Sequence, residues 1–339
     1  MSTLRQDPTT RQWVILAPRR GARPHQELEG PSRDDLPSFD AGCPFCPGNE
    51  DQTPPEILRE PSGADWQVRV VPNLYGALSG DGPAVRSGPP MFRELPGVGG
   101  HEVVIESPAH DGRMDEMSIP DVTRILRVWR RRYRDLMAAP HVRAVVVFKN
   151  FGALAGTSLV HTHSQVVATP VFLPRLLHRL DVATRHFDDH GSCVYDDVIA
   201  AEREAELRVV EGCGRFLAFV PFAAGSPFEV WIAPTYHEGS FGEIRDEDVD
   251  DLSCLLIRTL AAIRKACADP DFNLVVYSSP ANGHPAEVFH WHIKVLPKLS
   301  TPAGFEIGSG MSIQTVPPED AALALRGALS TIPMPARPA

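Results

Sequence analysis

The sequence predicts an α+β fold built from two tandem copies of one unit, each a mainly antiparallel sheet with helices packed on it. Three repeated features predict it. A strand ending in a proline turn and a histidine occurs twice, as His101-Glu102-Val103-Val104-Ile105-Glu106-Ser107-Pro108-Ala109-His110 and as Phe228-Glu229-Val230-Trp231-Ile232-Ala233-Pro234-Thr235-Tyr236-His237. An acidic cap region and an amphipathic helix follow each copy. A strand, a glycine-containing turn and a His-x-His segment then follow each helix. The interval from His110 to His161 nearly equals that from His237 to His290. The break between copies falls near residues 170–185.

Each element has a local reason. The first helix begins near Ser118-Ile119-Pro120-Asp121, where a first-turn proline is tolerated, and carries Val122, Ile125, Leu126, Trp129, Tyr133 and Leu136 at helical spacing. The second begins near Asp246 with Val249, Leu252, Leu255, Leu256, Leu260 and Ile263. The β-branched run Val145-Val146-Val147-Phe148 reads as a strand, followed by Gly152 and Gly156 and then by His161-Thr162-His163. Its counterpart is Phe272-Asn273-Leu274-Val275-Val276-Tyr277, then Gly283, then His290-Trp291-His292. Proline-dense stretches at 31–63 and 83–120 read as loops and extended connectors, and the tail 331–339 as frayed.

Composition excludes several classes. The chain has 339 residues, a formal net charge of −10 and 6 cysteines. The acidic balance argues against a nucleic-acid partner. No apolar run approaches the roughly 20 residues that span a bilayer, and the N-terminus lacks a secretory apolar region, so no membrane partner and a cytoplasmic location are expected. Six cysteines in so long a chain make no disulfide scaffold.

His161-Thr162-His163-Ser164-Gln165 is the most informative segment. On a strand, alternate residues share a face, so His161, His163 and Gln165 form a polar row at the edge of an apolar sheet. Such a row needs partners, and a metal and a phosphoryl group would serve. Cys43-Pro44-Phe45-Cys46 supplies two thiols at zinc spacing. With His110 and His161 it completes a closed Cys2His2 set of the structural zinc type. The second copy offers His237 and His290 with Cys193 and Asp196, a second site in which aspartate replaces a cysteine. Neither set leaves an open coordination position, so the expected cofactor is structural zinc, one or two ions per chain. Cys213, Cys254 and Cys267 read as ordinary thiols, and His178, His186 and His190 as solvated.

The segments Leu4-Arg5-Gln6-Asp7-Pro8, Trp13-Val14, Arg19-Arg20-Gly21-Ala22-Arg23-Pro24, Cys43-Pro44-Phe45-Cys46-Pro47-Gly48-Asn49, Val71-Pro72-Asn73, the His-x-His-x-Gln motif and Gly304-Phe305-Glu306 together resemble the galactose-1-phosphate uridylyltransferase branch of the histidine-triad superfamily, from end to end. That resemblance implies two histidine-triad-like domains, 1–174 with the catalytic motif and 175–339 as its duplicate. It implies His163 as nucleophile, His161 as zinc ligand and Gln165 as hydrogen-bond partner of the transferred phosphoryl group. Arg20, Arg23, Asn150 and Ser158 would bind phosphate oxygens. Phe45 and Asn73 would face the nucleoside, and Phe305 and Glu306 would belong to a substrate element. The implied partners are a nucleotide sugar, a sugar 1-phosphate and a second copy in a homodimer. The implied reaction is uridylyl transfer between UDP-glucose and galactose 1-phosphate through a uridylyl-histidine.

Two departures matter. Thr162 and Ser164 stand where the galactose enzymes usually carry Pro and Gly, and the Cys193/Asp196 pair looks like the plant-type branch that phosphorolyses ADP-glucose through an adenylyl-histidine. That is the first alternative. A non-catalytic nucleotide-binding zinc protein is the second. Hydrolysis is disfavoured, because an amide at Gln165 cannot protonate a leaving group as a histidine there would.

Overall fold

The computed structural model describes residues 2–22, 36–80, 82–280 and 286–336. Thirteen strands occur in the described residues: β1 (Thr3–Gln6), β2 (Trp13–Leu16), β3 (Leu58–Glu60), β4 (Val68–Pro72), β5 (Gly100–Ile105), β6 (Ala144–Phe151), β7 (His163–Thr169), β8 (Val209–Cys213), β9 (Phe216–Phe219), β10 (Val230–Pro234), β11 (Phe272–Tyr277), β12 (His292–Pro297) and β13 (Ser312–Gln314). The helices are α1 (Ile119–Met137), α2 (Pro174–His190), α3 (Val194–Ala205), α4 (Val249–Ala266), α5 (Gly304–Ser309) and α6 (Pro318–Leu329).

Ten strands form one sheet in the order β3-β4-β5-β7-β6-β11-β12-β10-β9-β8. All neighbouring pairs are antiparallel. The order is palindromic about the β6–β11 pair: β3-β4-β5-β7-β6 on one side matches β8-β9-β10-β12-β11 on the other. The two copies thus share one sheet. They also share one core, in which Trp129 and Val166 of the first copy join Leu255, Leu274 and Ile293 of the second. A small sheet, β1-β2-β13, ties the two ends of the chain together, with β13 parallel to β2.

Both expected helices form. Ser118 caps α1, its hydroxyl accepting from the Asp121 N–H at 3.3 Å. α4 follows a short turn of 3-10 helix at Asp246–Asp248. With α6 they cover one face of the sheet, and Thr123 Oγ1 meets Ser253 Oγ at 2.9 Å between α1 and α4. Helices α2 and α3, not anticipated from sequence, cover the other face over the second copy, where Leu176, Leu180, Tyr195 and Ile199 bury against Trp231 and Phe289. No helix among the described residues is long and apolar enough to cross a membrane.

The residues at the variable places of the motif are structural. Ser164 Oγ accepts from Trp129 Nε1 at 2.7 Å, pinning β7 to α1. Thr162 Oγ1 donates to Glu106 Oε2 at 2.8 Å, and Lys149 Nζ reaches the same carboxylate at 2.5 Å and the His163 carbonyl at 3.1 Å. The Lys149 and Glu106 side chains are 1% and 0% exposed. Removing one partner strands the other charge in the interior, so Lys149→Met should destabilise the fold by about 3–5 kcal/mol. Urea denaturation should find most of that loss recovered when Glu106→Leu is added; no recovery would assign the loss to packing instead.

Candidate active site and metal centre

The chain bends at His161 and enters β7 at His163, so of the His-x-His-x-Gln row His161 precedes the strand. His163 lies opposite Ile105 and Gln165 opposite Val103 on β5, so the two polar side chains share one sheet face. No helix among the described residues of the first copy covers that face. A cavity of about 230 Å³ opens there, lined by Asn150, Gly152, Thr157, Ser158, His161 and His163 among others. Gly156 turns the loop with φ of +89°, where a side chain would be strained, and a Cβ there would lie 4.0 Å from Asn150 Nδ2.

Cys43, Cys46, His110 and His161 are all buried and present one ligand atom each within 4.8 Å of one another. His161 Nδ1 lies 3.6 Å from both Cys43 Sγ and Cys46 Sγ, and His110 Nδ1 lies 3.6 Å from Cys46 Sγ. Metal–sulfur and metal–nitrogen bonds of about 2.3 and 2.0 Å in a tetrahedron separate S from N by about 3.6 Å. The donor set therefore fits a four-coordinate ion. His161 Nε2 donates to the Ser107 carbonyl at 2.8 Å, which leaves Nδ1 as the ligand atom. Burial holds this imidazole neutral, pushing its pKa down to about 4. Burial also raises the Cys43 thiol, a penalty that a cation at the site would reverse.

His163 is polarised by its own strand. Its Nδ1–H donates to the His161 carbonyl at 2.8 Å, so the lone pair resides on Nε2. Burial lowers its pKa below the ordinary 6.5. Phe45 packs its edge against both rings, with centroids 6.0 Å from His161 and 5.6 Å from His163. Gln165 Oε1 lies 2.7 Å from His101 Nε2, and Asn73 Nδ2 lies 3.1 Å from the same nitrogen. Asn150 Oδ1 accepts from Asn273 Nδ2 at 2.8 Å.

The second site is formed differently from expectation. Cys193, Asp196 and His237 converge, with Cys193 the N-cap of α3 and Asp196 in its first turn. His290 Nδ1 sits 3.8 Å from Asp196, but takes the Glu238 N–H at 3.1 Å, while its Nε2 bonds the Pro234 carbonyl at 2.8 Å. His237 Nδ1 and Asp196 Oδ2 are 2.7 Å apart, and that hydrogen bond raises the imidazole pKa to about 10. As it stands this is a half-exposed ion pair, from which an ion would have to displace a proton.

Other expected residues fall elsewhere. Arg20 stands exposed on a short helical turn beyond β2, and Arg23 lies outside the described residues. Phe305 is 48% exposed on α5, and Glu306 Oε2 accepts from the Ala303 N–H at 3.0 Å as a cap. Arg20, Phe305 and Glu306 do not line the His163 cavity. His186 is engaged by Asp197 at 2.7 Å and His178 by the Thr10 carbonyl at 2.8 Å, so neither is merely solvated. Sequence reading missed His101, Lys149, Glu106 and Asn273; strand alternation around the motif was the one signal available for them.

Four buried histidines, His161, His163, His290 and His292, have lowered pKa values. Each binds a proton more readily unfolded than folded between pH 6.5 and, for His161, about 4. The contribution of these four to the stability of the chelator-treated protein should therefore fall as the pH drops from 6.5 towards 4, whereas that of His237, whose pKa is raised to about 10, is lost as the pH rises above 6.5. Denaturation midpoints across that range check it; a constant midpoint would contradict neutral burial.

The Galactose-1-phosphate uridyl transferase, N-terminal domain family matches residues 1–172. ADP-glucose phosphorylase of Arabidopsis thaliana is 35% identical over 95% of this chain and 92% of its own length. Galactose-1-phosphate uridylyltransferase of Thermotoga maritima is 29% identical over 96% and 98%. Among solved structures, the Arabidopsis ADP-glucose phosphorylase with bound ADP-glucose superimposes with a TM-score of 0.83, at 34% identity over 96% of this chain and 98% of that one. A uridylyltransferase gives 0.76 at 28% identity over 97% and 99%. With its sheet, its His-x-His-x-Gln motif and its buried Cys2His2 set, the chain belongs to the galactose-1-phosphate uridylyltransferase family of nucleotidyltransferases.

Proposed function

We propose that this protein transfers a nucleoside monophosphate from a nucleotide sugar to a phosphate acceptor through a covalent nucleotidyl-His163, with UDP-glucose and galactose 1-phosphate as the substrate pair. The observation that carries this reading is the polarised imidazole of His163, Nδ1–H committed to the His161 carbonyl at 2.8 Å beside an open cavity. Nε2 attacks the α-phosphorus. The N–P bond forms as the bond to the bridging oxygen breaks, and the sugar 1-phosphate leaves as a stable anion. It needs no proton, which suits an amide at Gln165. A phosphate oxygen of the second substrate then attacks, the N–P bond breaks, and the neutral ring is regenerated. Donors on Gln165, Asn150 and Ser158 would carry the charge on the phosphoryl oxygens.

Zinc is the ion proposed for Cys43, Cys46, His110 and His161. When bound it supplies a rigid clamp between the cysteine loop and the strand entry, two residues from the nucleophile. A second ion at Cys193, Asp196 and His237 would bring the content to two. The duplicate units are taken as 1–174 and 175–339. A cytoplasmic homodimer completes the proposal, in which Arg20 and Phe305, exposed in the single chain, and the half-buried Glu306 meet substrate bound to the partner subunit.

A second reading is ADP-glucose phosphorolysis, with an adenylyl-His163 and inorganic phosphate as acceptor. It is favoured by the higher identity to the Arabidopsis phosphorylase, 35% against 29%.

Incubation with UDP-glucose and, separately, ADP-glucose, each radiolabelled at the α-phosphorus, should leave acid-labile label on the protein. The labelling donor identifies the base, and release by galactose 1-phosphate or inorganic phosphate identifies the acceptor. His163→Ala should reduce labelling at least about 1,000-fold. Absence of label from both donors would favour a non-catalytic zinc protein. Because burial lowers the His163 pKa, the labelling rate should stay level as pH falls to 6.5 and decline only below it. Metal analysis should find one to two zinc ions per chain, with one lost in Cys43→Ser; no zinc in the native protein would contradict the assignment.

A further inference from the structure

The orientation of two carboxamides can be settled from backbone groups whose polarity is fixed. The Ala77 N–H lies 3.1 Å from His101 Nδ1. A backbone N–H can only donate, so Nδ1 carries no proton and Nε2 must carry it. Nε2–H can only donate in turn, and its partner at 2.7 Å is therefore the oxygen of Gln165. The Asn73 amino group, its own oxygen taken by the Tyr75 N–H at 2.9 Å, lies 3.1 Å from the same Nε2 and, meeting an N–H there, makes no hydrogen bond with it, so the tautomer rests on the Ala77 N–H alone. The amino group of Gln165 is left turned away from His101, on the sheet face that carries His163.

The same logic fixes Asn150. The Ala155 carbonyl can only accept, and Asn273 Nδ2 donates to it at 2.9 Å. The second N–H of that group meets Asn150 Oδ1 at 2.8 Å. Asn150 therefore keeps its amino group for the cavity that it lines with Ser158 and His163. Strand register makes this possible: Asn273 of β11 lies directly opposite Asn150 of β6.

We propose that His101 and Asn273 are positioning residues that lock Gln165 and Asn150 with their amino groups towards the transferred phosphoryl group. Without the lock either amide could rotate and offer its oxygen to an anion, replacing attraction by repulsion. Donors held in place before reaction need no reorganisation as charge develops. The inference rests on the nucleotidyl-transfer reading above. It assigns to the second copy a residue that acts on the first copy's site.

Single-turnover labelling with α-phosphorus-labelled UDP-glucose and ADP-glucose tests it in His101→Phe and Asn273→Leu. At saturating donor each variant should label about 10- to 100-fold more slowly than the native protein. Metal content in both variants, and dissociation constants for uridine and adenosine in Asn273→Leu, should stay within about twofold, because Asn273 is not proposed to touch base or metal. Labelling at the native rate in both variants would overturn the inference alone. So would a loss of rate in step with metal and nucleoside binding, which marks a merely structural role. A native protein that takes no label would overturn the transfer reading and the positioning role together. Should a variant fail to fold, long-range proton–nitrogen NMR of the native protein decides: His101 should show the Nε2–H tautomer, and the Nδ1–H tautomer would overturn the lock.

Discussion

The antiparallel pairing of β6 with β11 is the constraint on which the rest of the molecule depends. Each copy alone would leave one of these strands as an open edge, with unpaired N–H and C=O groups along its length. Joining them makes one ten-stranded sheet and one core beneath α1, α4 and α6. It also sets Asn273 across from Asn150 and Phe272 across from Phe151, whose rings stack with centroids 4.9 Å apart. A shift of one residue in this register would turn every side chain of β11 to the opposite face. The cavity side of β6 would then lose its partner from the second copy.

The copies repeat the same strand order but have diverged in what covers their second face. Over β5-β7-β6 that face carries the cysteine loop, Phe45 and Trp66, and it leaves the cavity open. Over β10-β12-β11 it is closed by α2 and α3. His292, at the place of His163, is stacked between Trp231 and Tyr277, with centroids 4.4 and 5.1 Å away. Its Nδ1 still bonds the carbonyl two residues back, at 3.1 Å to His290, so the local geometry of the motif persists without access to a substrate. Its burial drives its pKa well below the ordinary value. Lys294 replaces the glutamine of the motif and lies 4.0 Å over the Trp231 ring. The second copy's motif serves as packing.

Support for His163 comes from two sides of the strand. On the cavity side, the Cys2His2 cluster gathers the loop at Cys43 and Cys46 onto His161. On the helix side, Lys149 and Glu106 hold the Thr162 hydroxyl and the His163 carbonyl. The backbone of these three residues is thereby held by groups above and below the sheet, so the His163 ring has little freedom other than rotation about its own side chain. That rotation is in turn stopped by the hydrogen bond to the His161 carbonyl. Preorganisation of this kind is bought with burial of charged groups, which accounts for their exact pairing.

Much of this was legible in the sequence because it is local. The helical period of 119–137 and 249–266, the alternation in the strands, the CxxC spacing and the His-x-His pairs are properties of short windows. They gave the fold class, the duplication and the four residues of the buried Cys2His2 cluster. The extent of the second copy's divergence was not legible, since α2 and α3 carry enough charge to read as a solvated stretch. It takes the fold to show that Leu176, Leu180 and Tyr195 share a buried side. Nor could sequence reveal that His290 spends both ring nitrogens on backbone groups, or that Arg20 and Phe305 lie apart from the cavity in the single chain. The chemistry of His163 and Gln165 was determined by their identities and spacing. The orientation of the Gln165 and Asn150 amides was decided by Ala77, His101, Ala155 and Asn273, brought together from distant parts of the chain, because a hydrogen bond's direction depends on partners that only strand pairing can place.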